Sequence, residues 1–219
     1  MKFIIIDCET SGLFDFKQPA HAPGQPRLAS LAIIQAEDHE DGATLESRSL
    51  YVTHEHNFFI RPDGWEMSPE VAAIHGLTTE FLLANGEPLM DALDHYTNLI
   101  KEGRVVCAYN SQFDTKVMRG ELRRAGLPDL FESTPNICLM RACTNVCRVP
   151  KKSGGGFKYP KLSEACAFFK ITEEAAHSAL GDARSAFAVM QHLHKANLLP
   201  TPEVHFAKEK PAALPGLAS

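Results

Sequence analysis

Hydrophobic and polar residues alternate over the first sixty positions in a pattern that predicts β-strands. The apolar run Phe3–Ile6 is bounded by a polar turn at residues 10–12 and predicts a buried strand. Leu28–Gln35 predicts a second strand, and the alternation over Ser49–Arg61 predicts a third that is half exposed at a sheet edge. Three prolines between residues 19 and 26 predict a loop between the first two strands.

Later in the chain, apolar residues recur three or four positions apart, which is the period of an amphipathic helix. The Ser-Pro-Glu segment at 68–70 predicts a helix start, because proline fits the first helical position. Other helices are predicted over residues 88–101, 112–124, 162–169 and 181–198, with a strand at 105–109 and either a strand or a helix at 136–149. Strands followed by alternating strands and helices predict a three-layer domain of the α/β or α+β class.

The composition is that of a globular chain, with 219 residues of which 44% are hydrophobic and 22% charged. At about 150 residues per domain, this length predicts one domain, over residues 1–198, and a flexible proline-rich tail, over residues 199–219. No apolar run approaches the roughly 18 residues of a membrane-spanning helix. Met1 and Lys2 lead directly into the first strand without signal-peptide features, so we expect no membrane association and a cytoplasmic location.

The distribution of charge matters more than its sum. A net charge of −5 by itself disfavours a nucleic-acid partner, because neutralising phosphates takes Lys and Arg. However, residues 148–161 contain five basic residues and no acidic one, and residues 116–124 contain four basic residues and one acidic. A polyanion can therefore be bound locally. We interpret 148–161 as a flexible basic loop that either follows a phosphate backbone or is simply solvated.

The six cysteines are too few and too scattered to form a disulfide framework in a chain of this size. Cys138, Cys143 and Cys147 form a cluster, but their spacing lacks the paired C-x-x-C of structural zinc sites. We interpret them as small apolar residues. A zinc-dependent structural protein is the least favoured alternative, and it would keep its function after replacement of Asp182 but not of these cysteines.

Two carboxylates, Asp7 and Glu9, directly follow the first apolar strand. Because side chains two residues apart on a strand share a face, both point to the same side of the strand end. Carboxylates that close repel one another, and burial adds to the cost of their charge. For this pair taken alone, a solvated corner between strand and turn is the alternative.

Asp114 and Asp182 each begin an apolar helical stripe, which directs their side chains toward the sheet rather than toward solvent. Four carboxylates directed at an interior need cations, and a set of oxygen ligands favours Mg²⁺ or Mn²⁺ over zinc. His177 precedes Asp182 by five residues, which is about 140° of rotation on a continuous helix. We therefore place His177 in the loop before the helix and Asp182 in its first turn. A loop histidine can approach a water molecule, which suits a general base.

Three ordered segments resemble the motifs of the DEDDh family of 3′→5′ exonucleases, which includes proofreading subunits of bacterial replicative polymerases, RNase T and oligoribonuclease. They are DCETSGL at 7–13, NSQFD at 110–114 and HSALGD at 177–182. IHGLT at 74–78 and the segment 161–166 resemble two further landmarks of the family, and the likeness covers about residues 2–196. Tyr109 and Ser30 stand where many members have histidine and glutamate, which leaves the substrate preference open.

The resemblance implies a ribonuclease H-like α/β fold, with a mixed five-stranded sheet flanked by helices. It also implies hydrolysis of nucleic acid from the 3′ end to nucleoside 5′-monophosphates, with two Mg²⁺ or Mn²⁺ ions about 3.5–4 Å apart. Asp7 would bridge both ions, and Glu9 and Asp182 would bind the ion on the water side. Asp114 would support the second ion, partly through water. His177 would take the proton from the attacking water, and Glu9 would also hold the terminal 3′-hydroxyl.

On the same grounds, the candidate substrate contacts are Thr10, Leu13, Asn110, Phe113 and His75. The backbone of Thr10 would share the contact with the 3′-hydroxyl, and Leu13 would wedge against the terminal base. Asn110 would bond near the phosphate or orient a neighbour. Phe113 is equally well explained as a core residue, and a purely structural role is the alternative for His75.

The expected partner is a nucleic acid with a free 3′ end, single-stranded, and the favoured function is proofreading or repair of DNA. The alternative among enzymes is an exoribonuclease that trims RNA ends or short oligoribonucleotides, since no residue reads a 2′-hydroxyl explicitly. The proline-rich tail could tether a polymerase, although it contains no recognisable docking motif. A non-catalytic binding module of the same fold is disfavoured, because a pure binder gains nothing from buried anionic ligands.

Overall fold

The computed structural model describes residues 1–39, 49–173 and 178–204 and contains one five-stranded sheet. Its strands are β1 (Lys2–Thr10), β2 (Leu28–His39), β3 (Ser49–Phe59), β4 (Val105–Ala108) and β5 (Asn136–Cys138). In space they follow the order β3-β2-β1-β4-β5. The pairs β1–β2 and β2–β3 are antiparallel, whereas β1–β4 and β4–β5 are parallel. The sheet is therefore mixed, and the predicted five-stranded α/β architecture is confirmed.

Seven α-helices accompany the sheet in the part of the chain that is described. They are α1 (Pro69–His75), α2 (Thr79–Asn85), α3 (Leu89–Lys101), α4 (Ser111–Arg124), α5 (Leu139–Cys147), α6 (Leu162–Phe169) and α7 (Ala179–Lys195). Local chemistry fixes several starts, as at α1, where the Ser68 hydroxyl accepts a hydrogen bond from the Val71 amide and proline occupies the first turn. The ambiguous segment 136–149 contains both alternatives, because β5 is followed at once by α5.

The central strand β1 is buried on both faces, which explains its unbroken apolar run. Phe3 and Ile5 join the core under α5, α6 and α7, whereas Ile4 and Ile6 join the core under α3 and α4. The alternation follows from the two-residue period of a strand. The domain consequently has three layers, with the sheet in the middle.

The strand register brings the predicted site residues to one edge of the sheet. Ile5 lies beside Cys107 in the parallel pair β1–β4, so the carboxyl ends of both strands meet at the same edge. The pairing of β1 with β2 is irregular after Glu9, a distortion that turns the strand end out of the regular ladder. The loop that follows β1 and the start of α4 therefore lie at this edge.

The C-terminal part of the chain is described as far as residue 204. Glu203 exchanges backbone hydrogen bonds with Asn136 at the outer strand β5, with N–O distances of 2.9 and 3.3 Å. Residues 205–219, which make up most of the predicted tail, lie outside the described residues, so the division at residue 198 stays a prediction. No helix among the described residues is long and apolar enough to cross a membrane.

Candidate active site

Three carboxylates converge at the end of the central strand. Asp7 and Glu9 come from β1, and Asp182 comes from the first turn of α7, where sequence spacing predicts it. One oxygen of each side chain lies within 4.8 Å of an oxygen of each of the others. Among the described residues this is the one group of three or more side chains that could hold a metal ion.

Asp114 is the fourth carboxylate and is buried in the first turn of α4, with 3% of its surface exposed. Its Oδ1 accepts a hydrogen bond of 3.0 Å from the backbone amide of Cys8, which lies between Asp7 and Glu9. This bond ties α4 to β1 at the point where the other carboxylates meet. Asp114 is not within the 4.8 Å group, but its charge acts on both Asp7 and Glu9.

The ionisation of these carboxylates is opposed by their surroundings. Burial, followed by the charges of Asp114, Asp182 and Glu9, raises the pKa of Asp7 well above its usual value. Burial and the charges of Asp182 and Asp114 raise the pKa of Glu9 to about 7. Burial also raises the pKa of Asp114 to about 7, although the hydrogen bond from Cys8 works in the opposite direction. A bound cation would relieve the repulsion that these shifts express.

The donor set fits a hard divalent cation. Carboxylate oxygens are the ligands that Mg²⁺, Mn²⁺ and Ca²⁺ prefer, and an ion about 2.0–2.6 Å from each oxygen holds its ligands within about 4–5 Å of one another. The spacing of Asp7, Glu9 and Asp182 meets this condition. The predicted cysteine cluster is different, because Cys138 and Cys143 are buried in the protein core and Cys138 donates to the carbonyl of Tyr109 at 3.6 Å.

The turn after β1 is held by local hydrogen bonds. The Thr10 hydroxyl donates to the carbonyl of Gly12 at 2.7 Å, and the side chain of Leu13 beyond it is 92% exposed. Nδ1 of His75 accepts from the Leu77 amide at 3.1 Å, which leaves Nε2 to donate to the Thr10 carbonyl at 3.3 Å. Burial lowers the pKa of His75, which favours this neutral form. His75 therefore positions the backbone of Thr10.

The start of α4 contributes the other two candidate contacts. Asn110 is exposed at the N-terminal cap of the helix, and its side chain makes no capping hydrogen bond there. Phe113 is half-buried, packs against the core under α3 and α4, and meets Phe14 edge-to-face with ring centroids 5.9 Å apart. This packing favours the core interpretation of Phe113. His177 lies outside the described residues, and its assignment as general base stays a prediction.

Sequence reasoning missed the residues that shape the loop between β1 and β2. Nζ of Lys116 donates to the carbonyls of Asp15 and Gln18 at 3.3 and 2.9 Å, and the Gln25 side chain bonds the same loop from within. Glu121, 1% exposed, pairs with Arg27 at 2.9 Å. The position of Lys116 on the apolar side of a predicted helix is the signal that could have revealed its contacts with this loop.

The basic residues at 116–124 have partners inside the protein, so they do not supply the unpaired positive charge that the sequence suggested there. Besides Lys116, Arg119 and Arg123 pair with Asp129 at 3.1 and 2.6 Å, and Arg124 pairs with Glu121 at 3.1 Å. These cations are committed to contacts inside the protein, because they compensate buried carbonyls and carboxylates that would otherwise lack partners.

Comparison with known proteins gives matches to exonucleases. A family model described as exonuclease (RNase T) matches residues 4–190. E. coli exonuclease I in complex with a dT13 oligonucleotide aligns with a TM-score of 0.67 and 20% identity, covering 88% of this chain and 40% of that chain. The zinc-bound form of its complex with ssDNA aligns with a TM-score of 0.66 and 20% identity, covering 90% of this chain and 42% of that chain. The ExoI/SSB-Ct complex aligns with a TM-score of 0.66 and 18% identity, with the same coverage of 90% and 42%.

The chain thus spans about two fifths of the length of these solved relatives, and at this identity they show the shared fold. The search of curated proteins gave no significant match. The fold is ribonuclease H-like, with an acidic group at the end of its central strand. Because the family model covers most of the sequence, the chain belongs to the exonuclease family, in its DEDDh branch of 3′→5′ exonucleases.

Proposed function

We propose that this chain is a metal-dependent exonuclease that hydrolyses single-stranded DNA from its 3′ end and releases nucleoside 5′-monophosphates. The observation that carries the proposal is the convergence of Asp7, Glu9 and Asp182 within 4.8 Å, next to the buried carboxylate of Asp114. Membership of an exonuclease family supports the class of reaction. DNA as substrate is supported by the dT13 and ssDNA complexes of E. coli exonuclease I.

The four carboxylates would hold two divalent ions, Mg²⁺ or Mn²⁺, which when bound activate a water molecule and stabilise the leaving 3′-oxygen. Asp7 would contribute to both positions, because the charges of all three other carboxylates act on its carboxyl group. Glu9 and Asp182 would bind on one side of it and Asp114 on the other. The Cys8–Asp114 hydrogen bond would keep the two sides in register.

The remaining roles follow from chain position and exposure. We assign the general base to His177, because it precedes by one residue the Ser178 cap of the helix whose first turn carries Asp182. Leu13, exposed beside the turn that follows Glu9, would pack against the terminal base. Thr10, held through its carbonyl by His75, would contact the terminal 3′-hydroxyl.

The test is digestion of single-stranded DNA, duplex DNA and RNA of one sequence, each labelled at either end, with Mg²⁺. We expect a 3′ label to leave at once as a mononucleotide and a 5′ label to pass through a ladder of shortening fragments. Asp7→Ala should abolish release, whereas Asp94→Asn, which removes an exposed carboxylate of α3, should not.

The outcomes separate the parts of the proposal. Internal cuts, release from the 5′ end, or full activity of purified Asp7→Ala would contradict the exonuclease assignment. Faster digestion of RNA would replace DNA with RNA as the substrate and leave the chemistry in place. We do not extend the proposal to a polymerase partner, because nothing in the described residues supports one.

A further inference from the structure

A basic hairpin, residues Arg148–Lys161, connects α5 to α6. Pro150 and Phe157 form an antiparallel bridge across it, and the Lys151 amide donates to the Gly156 carbonyl at 3.0 Å. Two arms therefore run side by side and project a common tip. The hairpin has a defined shape, which the sequence-based interpretation did not anticipate.

The tip consists of three consecutive glycines with positive φ angles. Gly154, Gly155 and Gly156 have φ values of 76°, 73° and 123°, a backbone conformation that other residues rarely adopt. A Cβ added at any of them would meet no other atom within 4 Å. The three glycines carry no side chain and the positions that a Cβ would take are open, so a polymer chain can approach their backbone closely.

The hairpin carries positive charge that the described residues do not neutralise. Nζ of Lys158 contacts both carboxylate oxygens of Glu164 at 2.6 Å and is compensated by them. Lys151 and Lys152 are exposed, and neither has an ion-pair partner within the described parts of the chain. Two uncompensated cations on a chain of net charge −5 indicate an anionic partner at this place.

Aromatic rings accompany these cations. Phe157 is 39% exposed and Tyr159 is 58% exposed. They are two residues apart on the same arm, so both rings point to one side where the arm is extended. Exposed aromatic rings beside lysines are the combination with which proteins hold single-stranded nucleic acid, because rings stack on bases and lysines bind phosphates.

The base of the hairpin is fixed at the edge of the sheet that carries the carboxylates. The Tyr109 hydroxyl donates to the carbonyls of Pro160 and Lys161, at 3.0 and 2.9 Å. Tyr109 directly follows β4, and Cys107, two residues before it, pairs with Ile5, two residues before Asp7. The arm that carries the two rings therefore leaves the protein at the edge of the sheet where the candidate active site lies.

We propose that the basic hairpin is a second contact surface for the single strand whose 3′ end lies at the carboxylates. Lys151 and Lys152 bind phosphates of the strand, and Phe157 and Tyr159 stack on bases that lie 5′ of the scissile linkage. This inference rests on the proposed function, since it assumes that the strand enters at this edge. Under this proposal, a single strand long enough to reach the hairpin binds more tightly than a very short one.

The experiment compares two double variants, K151Q/K152Q and F157A/Y159A, on two substrates. One is the p-nitrophenyl ester of thymidine 5′-monophosphate, which is too small to reach the hairpin. The other is a fluorescent single-stranded 16-mer with phosphorothioates at its 3′-terminal linkages, used to measure binding with Mg²⁺ over a range of salt concentrations. The matched control, K101Q/K195Q, removes the same charge at the ends of α3 and α7, where the chain is remote from the carboxylate edge.

We expect F157A/Y159A to bind the 16-mer about 5- to 150-fold more weakly for each stacked base that is lost. In K151Q/K152Q the slope of log affinity against log salt should become shallower by about 1.4, which is 0.7 for each phosphate contact on a single strand. Both variants should cleave the ester at the wild-type rate, and K101Q/K195Q should match the wild type throughout.

Failure of the wild type to cleave either the ester or an unmodified 16-mer would refute the proposed function. An active wild type whose hairpin variants bind the 16-mer normally would refute only the hairpin proposal. Slower ester cleavage by the variants would also count against it, because the substitutions would then disturb the carboxylates themselves. A salt effect of the lysine pair without any effect of the aromatic pair would indicate general electrostatic attraction and contradict a stacking surface.

Discussion

At Asp114 the chain combines a structural and an electrostatic role in one carboxylate. The side chain is almost fully buried, and it accepts the hydrogen bond of the Cys8 amide at the centre of the site. Loss of the acceptor would leave a buried amide without a partner, which costs about 1–3 kcal/mol. Loss of the charge alone would remove repulsion from Asp7 and Glu9.

Two substitutions separate these roles. Asp114→Asn keeps an oxygen for the Cys8 amide, so we expect a metal-free free energy of unfolding equal to the wild type or higher, with nucleotide release abolished. Asp114→Leu lacks the acceptor and should lower the free energy of unfolding by about 1–3 kcal/mol. Chemical denaturation in EDTA and release assays in Mg²⁺ measure both quantities. Equal loss of stability in the two variants would mean that the hydrogen bond is not what Asp114 contributes.

The raised pKa of Glu9 predicts how metal-free stability varies with pH. In the folded protein its pKa is about 7, compared with about 4.3 for glutamate in an unfolded chain. Between these values the folded state binds more protons than the unfolded state, so the free energy of unfolding falls as pH rises. The glutamine of Glu9→Gln has no carboxyl proton to lose, so the free energy of unfolding of this variant should decline less between these pH values.

The measurement is the melting temperature in EDTA at intervals between pH 4.5 and 7.5. For a chain of this size each kcal/mol corresponds to about 2–4 °C. The wild type should lose several degrees relative to Glu9→Gln from the acid end to the neutral end of the window. Parallel curves would show that Glu9 is not held in a protonated form, and would remove the electrostatic argument for a shared cation site.

At the scale of elements, α4 lies close against the loop between β1 and β2. A Cβ at Gly120 would lie 2.6 Å from the carbonyl oxygen of Ala20, which is closer than real contacts allow. Four residues to either side on the same helix, Arg124 and Lys116 donate hydrogen bonds to carbonyls of this loop. The glycine therefore permits the close approach through which the loop that bears Leu13 is fixed.

Gly120→Ala is expected to destabilise the protein, although in an ordinary helix the same change stabilises it by about 1 kcal/mol. The reason is that the backbone carbonyl of Ala20 cannot give way as a side chain could. Asn98→Ala, at an exposed position of α3, serves as the control and should show the ordinary helix gain of a few tenths of a kcal/mol. Urea denaturation of both variants checks the prediction. A gain at Gly120 would mean that the helix and the loop are not in close contact.

For the whole molecule, the sequence predicted the elements well wherever apolar periodicity defines them. β1, β2 and β3 and the helices α3, α4 and α6 lie within a few residues of their expected positions. The periodicity could not reveal that Thr79–Asn85 forms a separate helix, because α2 has one buried residue, Leu82. Nor could it give the strand order, which depends on pairing between distant segments.

The candidate site was predictable for a different reason. Carboxylates at the ends of apolar strands and at the heads of apolar stripes are costly, and the structure places Asp7, Glu9 and Asp182 together and Asp114 next to them. The contacts of the long loop were not predictable, because Lys116 and Gln25 act through backbone carbonyls, which leave no pattern in the sequence. The ion pairs of Arg119 and Arg123 with Asp129 were not predictable either, because the sequence does not show which charged side chains meet in space.

The stability of the whole domain should respond to divalent ions, because repulsion among four neighbouring carboxylates destabilises the folded state. An ion that binds only the folded state raises the free energy of unfolding by RT ln(1 + [ion]/Kd), about 2.7 kcal/mol at 100 times Kd. At roughly 2–4 °C per kcal/mol, saturating Mg²⁺ or Mn²⁺ should raise the melting temperature of the wild type by about 5–11 °C.

Asp7→Asn should reduce this rise, because Asp7 is the carboxylate whose pKa responds to all the others. Its melting temperature in EDTA should equal or exceed that of the wild type, since one repelling charge is gone. Asp94→Asn should respond to the ions as the wild type does, because that carboxylate is exposed on α3. Calorimetric scans in EDTA, Mg²⁺ and Mn²⁺ make the comparison. If Asp7→Asn kept the full metal response, the ions would bind elsewhere on the molecule. The folded protein would then accommodate the carboxylates of β1 without a bound cation.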